Sequence, residues 1–275
     1  GNAIMMCLVV ALDCEAKPLL KHYRLKIDNS ADGFRVYRND NDDIALIVSA
    51  MGRAASAAAS AYLQAFLNQG RQHNWLNIGI GGQREYSIGD CFIAHKIAES
   101  TSSQCWYPPQ VFTPPCASAI VETVDQPETN YLSESIYEME ASGFYPTACR
   151  FTTAELVQSL KIISDNQMHA ITKLTKTKIE QLIGDNLNII QQVIEQIDEL
   201  SQELALSQRE PLHYQDTLNH WHFTESERHQ LYDKLQRWQL LYPDEPLPWN
   251  RFRNSSDILG WLEQQLINRS NLSLI

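Results

Sequence analysis

Five short segments of this 275-residue chain each put a polar group at the end of a candidate strand, where a site can be built. They are Ala11-Leu12-Asp13-Cys14-Glu15, Ser49-Ala50-Met51-Gly52-Arg53, Asn77-Ile78-Gly79-Ile80-Gly81-Gly82, Glu138-Met139-Glu140-Ala141 and Ile163-Ser164-Asp165-Asn166. Glu15, Glu140 and Asp165 are the carboxylates of interest. A carboxylate at a buried strand end is unfavourable unless it is paired or hydrogen-bonded, and its pKa is easily raised. Three such groups brought to one pocket could divide acid and base roles between them. Taken singly, each also fits a helix cap or a solvated loop acid. The glycines of 77–82 permit close backbone approach to a ligand. They form neither a GxGxxG fingerprint with an acid about 20 residues on, nor a GxxxxGK[ST] loop.

The elements that must hold these segments can be read from periodicity. Ala3–Leu12 predicts a buried strand, Glu15–His22 a short helix, and Phe34–Arg38 with Ile44–Ser49 a strand pair around the turn-rich Asn39–Asp43. Ala54–Leu67 predicts an alanine-rich helix. Trp75–Ile80, Asp90–Ile97, Ala119–Val124 and Leu160–Ser164 predict further strands, with Met139–Cys149 as a helix between the last two. Strands alternating with helices imply an α/β fold, and we expect a three-layer α/β/α arrangement around a mixed, largely parallel sheet. In such sheets ligands bind beyond the carboxyl ends of the strands. Apolar residues from Ile179 to Leu204 recur at threes, fours and sevens, predicting one long amphipathic helix with an interruption at Gly184. Beyond it the pattern changes. Thr224 with Glu227 reads as a capping box for a helix to about Leu241, Pro243–Pro248 as a break, and Ser256 or Asp257 as the cap of a last helix through Ile267. This sets an expected division into an α/β domain over 1–208 and a helical extension over 209–275.

Composition excludes several classes. There are 22 Lys and Arg against 33 Asp and Glu, a formal net charge of −11, whereas coating nucleic acid requires a basic face. Nucleic acid is therefore not an expected partner, and neither is a membrane: no apolar run reaches the ~18 residues of a span. Ala3–Leu12 lacks the basic front of a signal peptide, and Gly1 reads as the remnant of a removed tag. Six cysteines without a CxxC pair read as reduced thiols of a cytoplasmic protein.

In this order the five segments resemble the nucleoside phosphorylase and nucleosidase superfamily, and within it the methylthioadenosine/S-adenosylhomocysteine nucleosidase branch. Val9–Glu15 looks like that branch's first strand and acidic turn. Ser49–Arg53 looks like its Ser-Gly-x-Gly-Lys segment, and Asn77–Gly82 with Ser87-Ile88-Gly89-Asp90 like its glycine-rich strand end and following turn. Glu138-Met139-Glu140-Ala141 matches its ribose-binding motif, and Ser164-Asp165 its catalytic Ser-Asp. The likeness runs over roughly residues 3–205.

The resemblance implies hydrolysis of the N-glycosidic bond of a purine-type nucleoside, such as a 5′-substituted adenosine, without a cofactor. Asp165 would assist the leaving base at N7 and Glu15 would activate water. Glu140 would hold the ribose, with Met139, Met51 and Leu12 packed on the sugar and Gly79 and Gly81 lining the strand end. It also implies a homo-oligomer. A phosphorylase on the same scaffold, or a nucleoside-binding protein without turnover, are the alternatives. Phosphate needs an Arg and Ser pair where this chain has Asn77 and Ile80, and Glu15 would repel it, although Arg53 and Arg84 could supply positive charge. The segment Ser100–Ile136 is shorter than the family's and lacks its usual base contacts, leaving Trp106, Tyr107 and Phe112 as aromatic candidates. His213, His220, His222 and His229 with Glu225 read as surface or interface histidines and not as a metal site, which needs three or four converging ligands.

Overall fold

The computed structural model of the protein describes residues 4–67, 72–207, 210–243 and 245–272. Gly1, Ala3 and the expected boundary at 208/209 lie outside them. The chain divides into two compact units, Gly1–Ser201 and Gln202–Ile275.

In the first unit the apolar run of β1 (Met6–Val10) is buried throughout, as a strand covered on both faces must be. β1 pairs in parallel with β4 (Ile44–Val48) on one side and β5 (Asn74–Gly82) on the other. β5 is in turn parallel to β10 (Val157–Asp165). Four strands thus point their carboxyl ends the same way, and those ends are the segments at Leu12, Ser49, Gly81 and Asp165. The polar interior of β5 and β10 is satisfied internally: Ser159 Oγ donates to Asn77 Oδ1 at 2.8 Å, and Asn77 Nδ2 donates to the Val9 carbonyl at 3.1 Å.

Beyond β10 the sheet turns back on itself. β6 (Cys91–Glu99) runs antiparallel to β10, and β8 (Ala117–Thr123) runs parallel to β6. β9 (Ile136–Glu138) is parallel to β8 and meets β5 antiparallel at Gly82 and Tyr137. The ring β5-β10-β6-β8-β9 therefore closes, delivering the end of β9 to the same edge as the ends of β1, β5 and β10. β3 (Arg35–Arg38) forms the expected hairpin with β4, its turn held by Asn39 Oδ1 accepting from the Asp43 and Ile44 amides at 3.2 and 3.3 Å. β2 (Lys26–Ile27) and β7 (Cys105–Trp106) are short antiparallel additions.

Helices cover both faces. α2 (Arg53–Leu67) packs on α3 (Ala141–Ala148), and Ala59, Leu63 and Phe144 share a core with Cys7, Val9 and Ile47. The alternate strand residues Met6, Leu8 and Leu46 are equally buried and point the other way, the side of α1 (Asp13–His22) and α4 (Lys176–Asp185). This is the expected three-layer arrangement around a mixed sheet.

The single helix expected over 179–204 is two. α4 ends at Asp185 and α5 runs over Leu187–Ser207, so the break falls at Asn186 and not at Gly184. The reason is a side chain: Asn186 Nδ2 donates to the Gly89 carbonyl at 3.0 Å and to the Leu182 carbonyl at 2.9 Å, while Gly184 continues the helix.

The second unit holds α6 (Tyr214–His220), α7 (Glu225–Leu241) and α8 (Ser255–Leu272). Phe223, Leu231, Leu235, Trp238, Ile258 and Leu262 make its core. α7 opens with the predicted capping box of Thr224 and Glu227. α8 starts earlier than expected: Asn254 Oδ1 accepts from the Asp257 amide at 2.9 Å, so Asn254 caps it in place of Ser256 or Asp257. Among the described residues, no helix is long and apolar enough to cross a membrane.

Candidate active site

A cavity of about 110 Å³ lies at the shared carboxyl edge of β1, β5 and β10, where β9 ends. Leu12, Glu15, Met51, Gly81, Met139, Glu140 and Asp165 all line it. Sequence separations as wide as that between Glu15 and Asp165 are closed by the parallel pairing of β1, β5 and β10. A second, open groove of about 600 Å³ adjoins it, sharing Ala11, Leu12 and Met51 and continuing to Phe34 and Arg35.

The remaining expected site residues sit elsewhere. Gly79 lies behind the cavity, where a Cβ would stand 3.2 Å from Lys161 Nζ and 3.5 Å from Glu15 Oε2. Its lack of a side chain makes room for those two groups, a task different from contacting a ligand. The Arg53 guanidinium pairs with Glu99 and with Asp125 at 3.4 Å, and Arg84 pairs with Glu85 at 3.3 Å. Neither arginine lines the cavity. Trp106, Tyr107 and Phe112 do not line it either; Tyr107 is exposed, under the Lys96 ammonium.

The carboxylates are held by different means. Glu15, near the start of α1, is 2% exposed and accepts only a long hydrogen bond from the Ala11 amide at 3.4 Å. Burial, followed by the neighbouring Glu140 charge, pushes its carboxyl up to about 8. Glu140 ends the turn into α3, and its Oε1 accepts from the Gly52 amide at 3.0 Å. Gly52 has φ +103°, a left-handed geometry that suits glycine and aims its N–H at the carboxylate. Burial and then Glu138 raise Glu140. Glu138 itself goes the other way. Burial alone would raise it, but Lys161 at 2.7 Å, the Thr123 hydroxyl and the amides of Glu140 and Ala141 hold it below the ordinary range. Lys161 is fully buried in β10. Burial would lower it, and the glutamates around it, Glu138 first, hold it up. The cluster is one ammonium facing three carboxylates, with Glu138 the ionised partner and Glu15 and Glu140 both raised, burial first.

Asp165, at the end of β10, is 2% exposed. Ser164 Oγ donates to its Oδ1 at 2.6 Å and the Tyr131 hydroxyl donates to its Oδ2. Sequence reasoning missed Tyr131 and Lys161. Lys161 did leave a signal, as the lone charge inside the otherwise uncharged run Val157–Ser164. Tyr131 left none, because it stands in an irregular loop. In the second unit His213 meets Trp249 edge-on and His220 lies tilted against it, at ring distances of 5.8 and 5.1 Å.

No protein-family model matches the chain, and no curated protein matches it by sequence. Solved structures do match in fold. Helicobacter pylori MTAN, with 5′-methylthioadenosine in its active site, superposes with a TM-score of 0.57 at 13% identity, over 71% of this chain and 100% of that one. Arabidopsis thaliana 5′-methylthioadenosine nucleosidase in apo form gives 0.59 at 14% identity, over 72% and 97%. Helicobacter pylori futalosine hydrolase gives 0.52 at 14% identity, over 70% and 100%. Over some seven-tenths of its length, the chain therefore shares the fold of these solved nucleosidase and hydrolase structures.

Proposed function

We propose that the chain hydrolyses the N-glycosidic bond of a purine-type nucleoside, releasing free base and sugar. One observation carries this reading: Glu15, Glu140 and Asp165 open together onto a single buried cavity. In the reaction, water attacks C1′ as the bond from C1′ to the base breaks, and the bonding pair leaves with the base. Asp165 supplies a proton or hydrogen bond to the departing base. Glu15 takes the proton of the attacking water. A carboxyl pushed up to about 8 is basic enough for that work near neutrality. Glu140 holds the ribose hydroxyls, and its charge offsets the positive charge that develops on the sugar. Leu12, Met51 and Met139 supply the apolar surface for the ring.

Water is favoured over phosphate by the charge of the walls. Glu15, Glu128, Glu138, Glu140 and Asp165 line the cavity, and no Arg or Lys does among the described residues. A phosphate dianion would meet repulsion there without a fork of donors. The adjoining groove beyond Leu12 and Met51 supports a substituent at the 5′ position, and the structural relatives include a protein solved with 5′-methylthioadenosine.

The test is a panel of nucleosides incubated with the full chain, with and without phosphate, followed by chromatography for free base. Methylthioadenosine, S-adenosylhomocysteine, adenosine, inosine and longer 5′-substituted adenosines belong on it. Base release without phosphate, abolished by Asp165→Asn, supports the reading. Release only with phosphate replaces it with a phosphorylase. A folded protein that releases nothing from any of them overturns it.

A further inference from the structure

We propose that Tyr131 is a gate on Asp165, a specificity-determining residue that a base must displace before it can reach the acid. This rests on the reading of Asp165 as the group that meets the leaving base.

The geometry points to displacement because the Tyr131 hydroxyl already holds one of the two Asp165 oxygens. Ser164 Oγ donates to Oδ1 and the Tyr131 hydroxyl donates to Oδ2, so a base that bonds Oδ2 from the same side competes with the tyrosine. The Tyr131 ring lies against the strand end, where a Cβ on Gly82 would come within 2.8 Å of Tyr131 Cε1. The remaining cavity of about 110 Å³ falls short of the ~300 Å³ at the lower end of small-molecule sites. A purine nucleoside does not fit this cavity as it stands, and Gly82, which the Tyr131 ring abuts, is part of its wall.

The gate is also built to move. Residues 124–135 link β8 to β9, and Asp125, Gln126, Pro127, Thr129, Asn130 and Leu132 are exposed. Tyr131 is the exception at 3% exposure, flanked by Leu132 at 81%. Much of the bonding in the segment is local: Glu128 Oε1 accepts from the Thr129 and Asn130 amides, and the Ser133 amide donates to the Tyr137 hydroxyl. Tyr131 itself has φ +47°, a left-handed backbone that a tyrosine adopts at a cost. Swinging the ring outward surrenders one hydrogen bond, which an incoming base replaces at Asp165. A protein whose competent state is only partly populated binds more weakly by that fraction. The gate therefore favours a base that both fills the vacated space and bonds Asp165.

The experiment follows amide hydrogen exchange in the full chain and in Tyr131→Phe and Tyr131→Ala, with a thermal melt of each to confirm folding. Peptides within 124–135 are expected to exchange about fivefold faster in Tyr131→Phe, the worth of one hydrogen bond, and faster again in Tyr131→Ala. The strands of the sheet should be unchanged. On any nucleoside the wild-type chain hydrolyses, KM should fall by a similar factor in Tyr131→Phe. Unchanged exchange in that segment in both variants overturns the gate. So does a Tyr131→Phe enzyme with lower kcat at constant KM, which would make the phenol part of the chemistry. If no nucleoside is hydrolysed, the exchange result still decides the gate, and only the assignment of the reaction fails.

Discussion

Glu15 is the residue through which pH acts on this site. An ordinary glutamate ionises near 4.5, whereas this one, buried beside Glu140, holds its proton up to about 8. Between those values the folded state binds a proton that the unfolded chain has released. The resulting stability is present at low pH and is lost as pH rises through 8. Glu15→Gln removes that dependence. Relative to wild type, the variant should gain stability between pH 5 and pH 9, by up to a few kcal/mol, read from thermal melts across that range. As a base, Glu15 acts in its ionised form. Hydrolysis should therefore rise along a limb near pH 8, and Glu15→Gln should abolish the limb while lowering kcat by about 10²–10⁴-fold. Lys161 gives a separate prediction. Its removal in Lys161→Met leaves the ionised Glu138 buried without its partner, which should cost about 3–5 kcal/mol in a urea titration. Glu15 and Asp165 were legible as carboxylates placed after apolar runs, and Glu140 as an acid that opens a helix. The role of Lys161 was not, because its partner arrives on β9, a strand of three residues with no periodicity to announce it.

At the scale of elements, the direction of the strands does the positioning. β1, β4, β5 and β10 are mutually parallel, so four loops emerge at one edge, and the closing of the ring through β9 adds Glu138 and Glu140. Long apolar strands and alanine-rich or amphipathic helices were readable in advance, because their residues repeat at the period of the structure. The two-residue strands β2 and β7 were not, since they exist only through their pairing with β3 and β6. Local hydrogen bonding set the helix ends. The capping box at Thr224 was legible, because both partners lie within four residues. Thr224→Ala should lower the stability of the second unit by about 1 kcal/mol, measured as a shift of its unfolding midpoint by circular dichroism.

At the scale of the molecule, two units each carry a core. Their tryptophans divide unequally: Trp75 and Trp106 lie in the first, and Trp221, Trp238, Trp249 and Trp261 in the second. Denaturant unfolding should therefore depend on the probe. Tryptophan fluorescence should report mainly the second unit, and loss of base release should report the first, which holds every residue lining the cavity. Midpoints that differ between the two measurements are the expected result, and coincident ones would mean that the units unfold as one.

The sequence by itself determined the class of fold, most of the elements and the identity of three carboxylates, because periodicity, capping and residue type are properties of neighbours along the chain. Only the tertiary structure decided which charges share a cavity. Lys161 faces Glu138 and Glu15 across strands, Arg53 and Arg84 are tied to acids outside the cavity, and Tyr131 reaches Asp165 from a loop. Those pairings depend on strand order and ring closure. They also set what the acids do: the same side chain is ionised beside an ammonium and protonated beside another carboxylate.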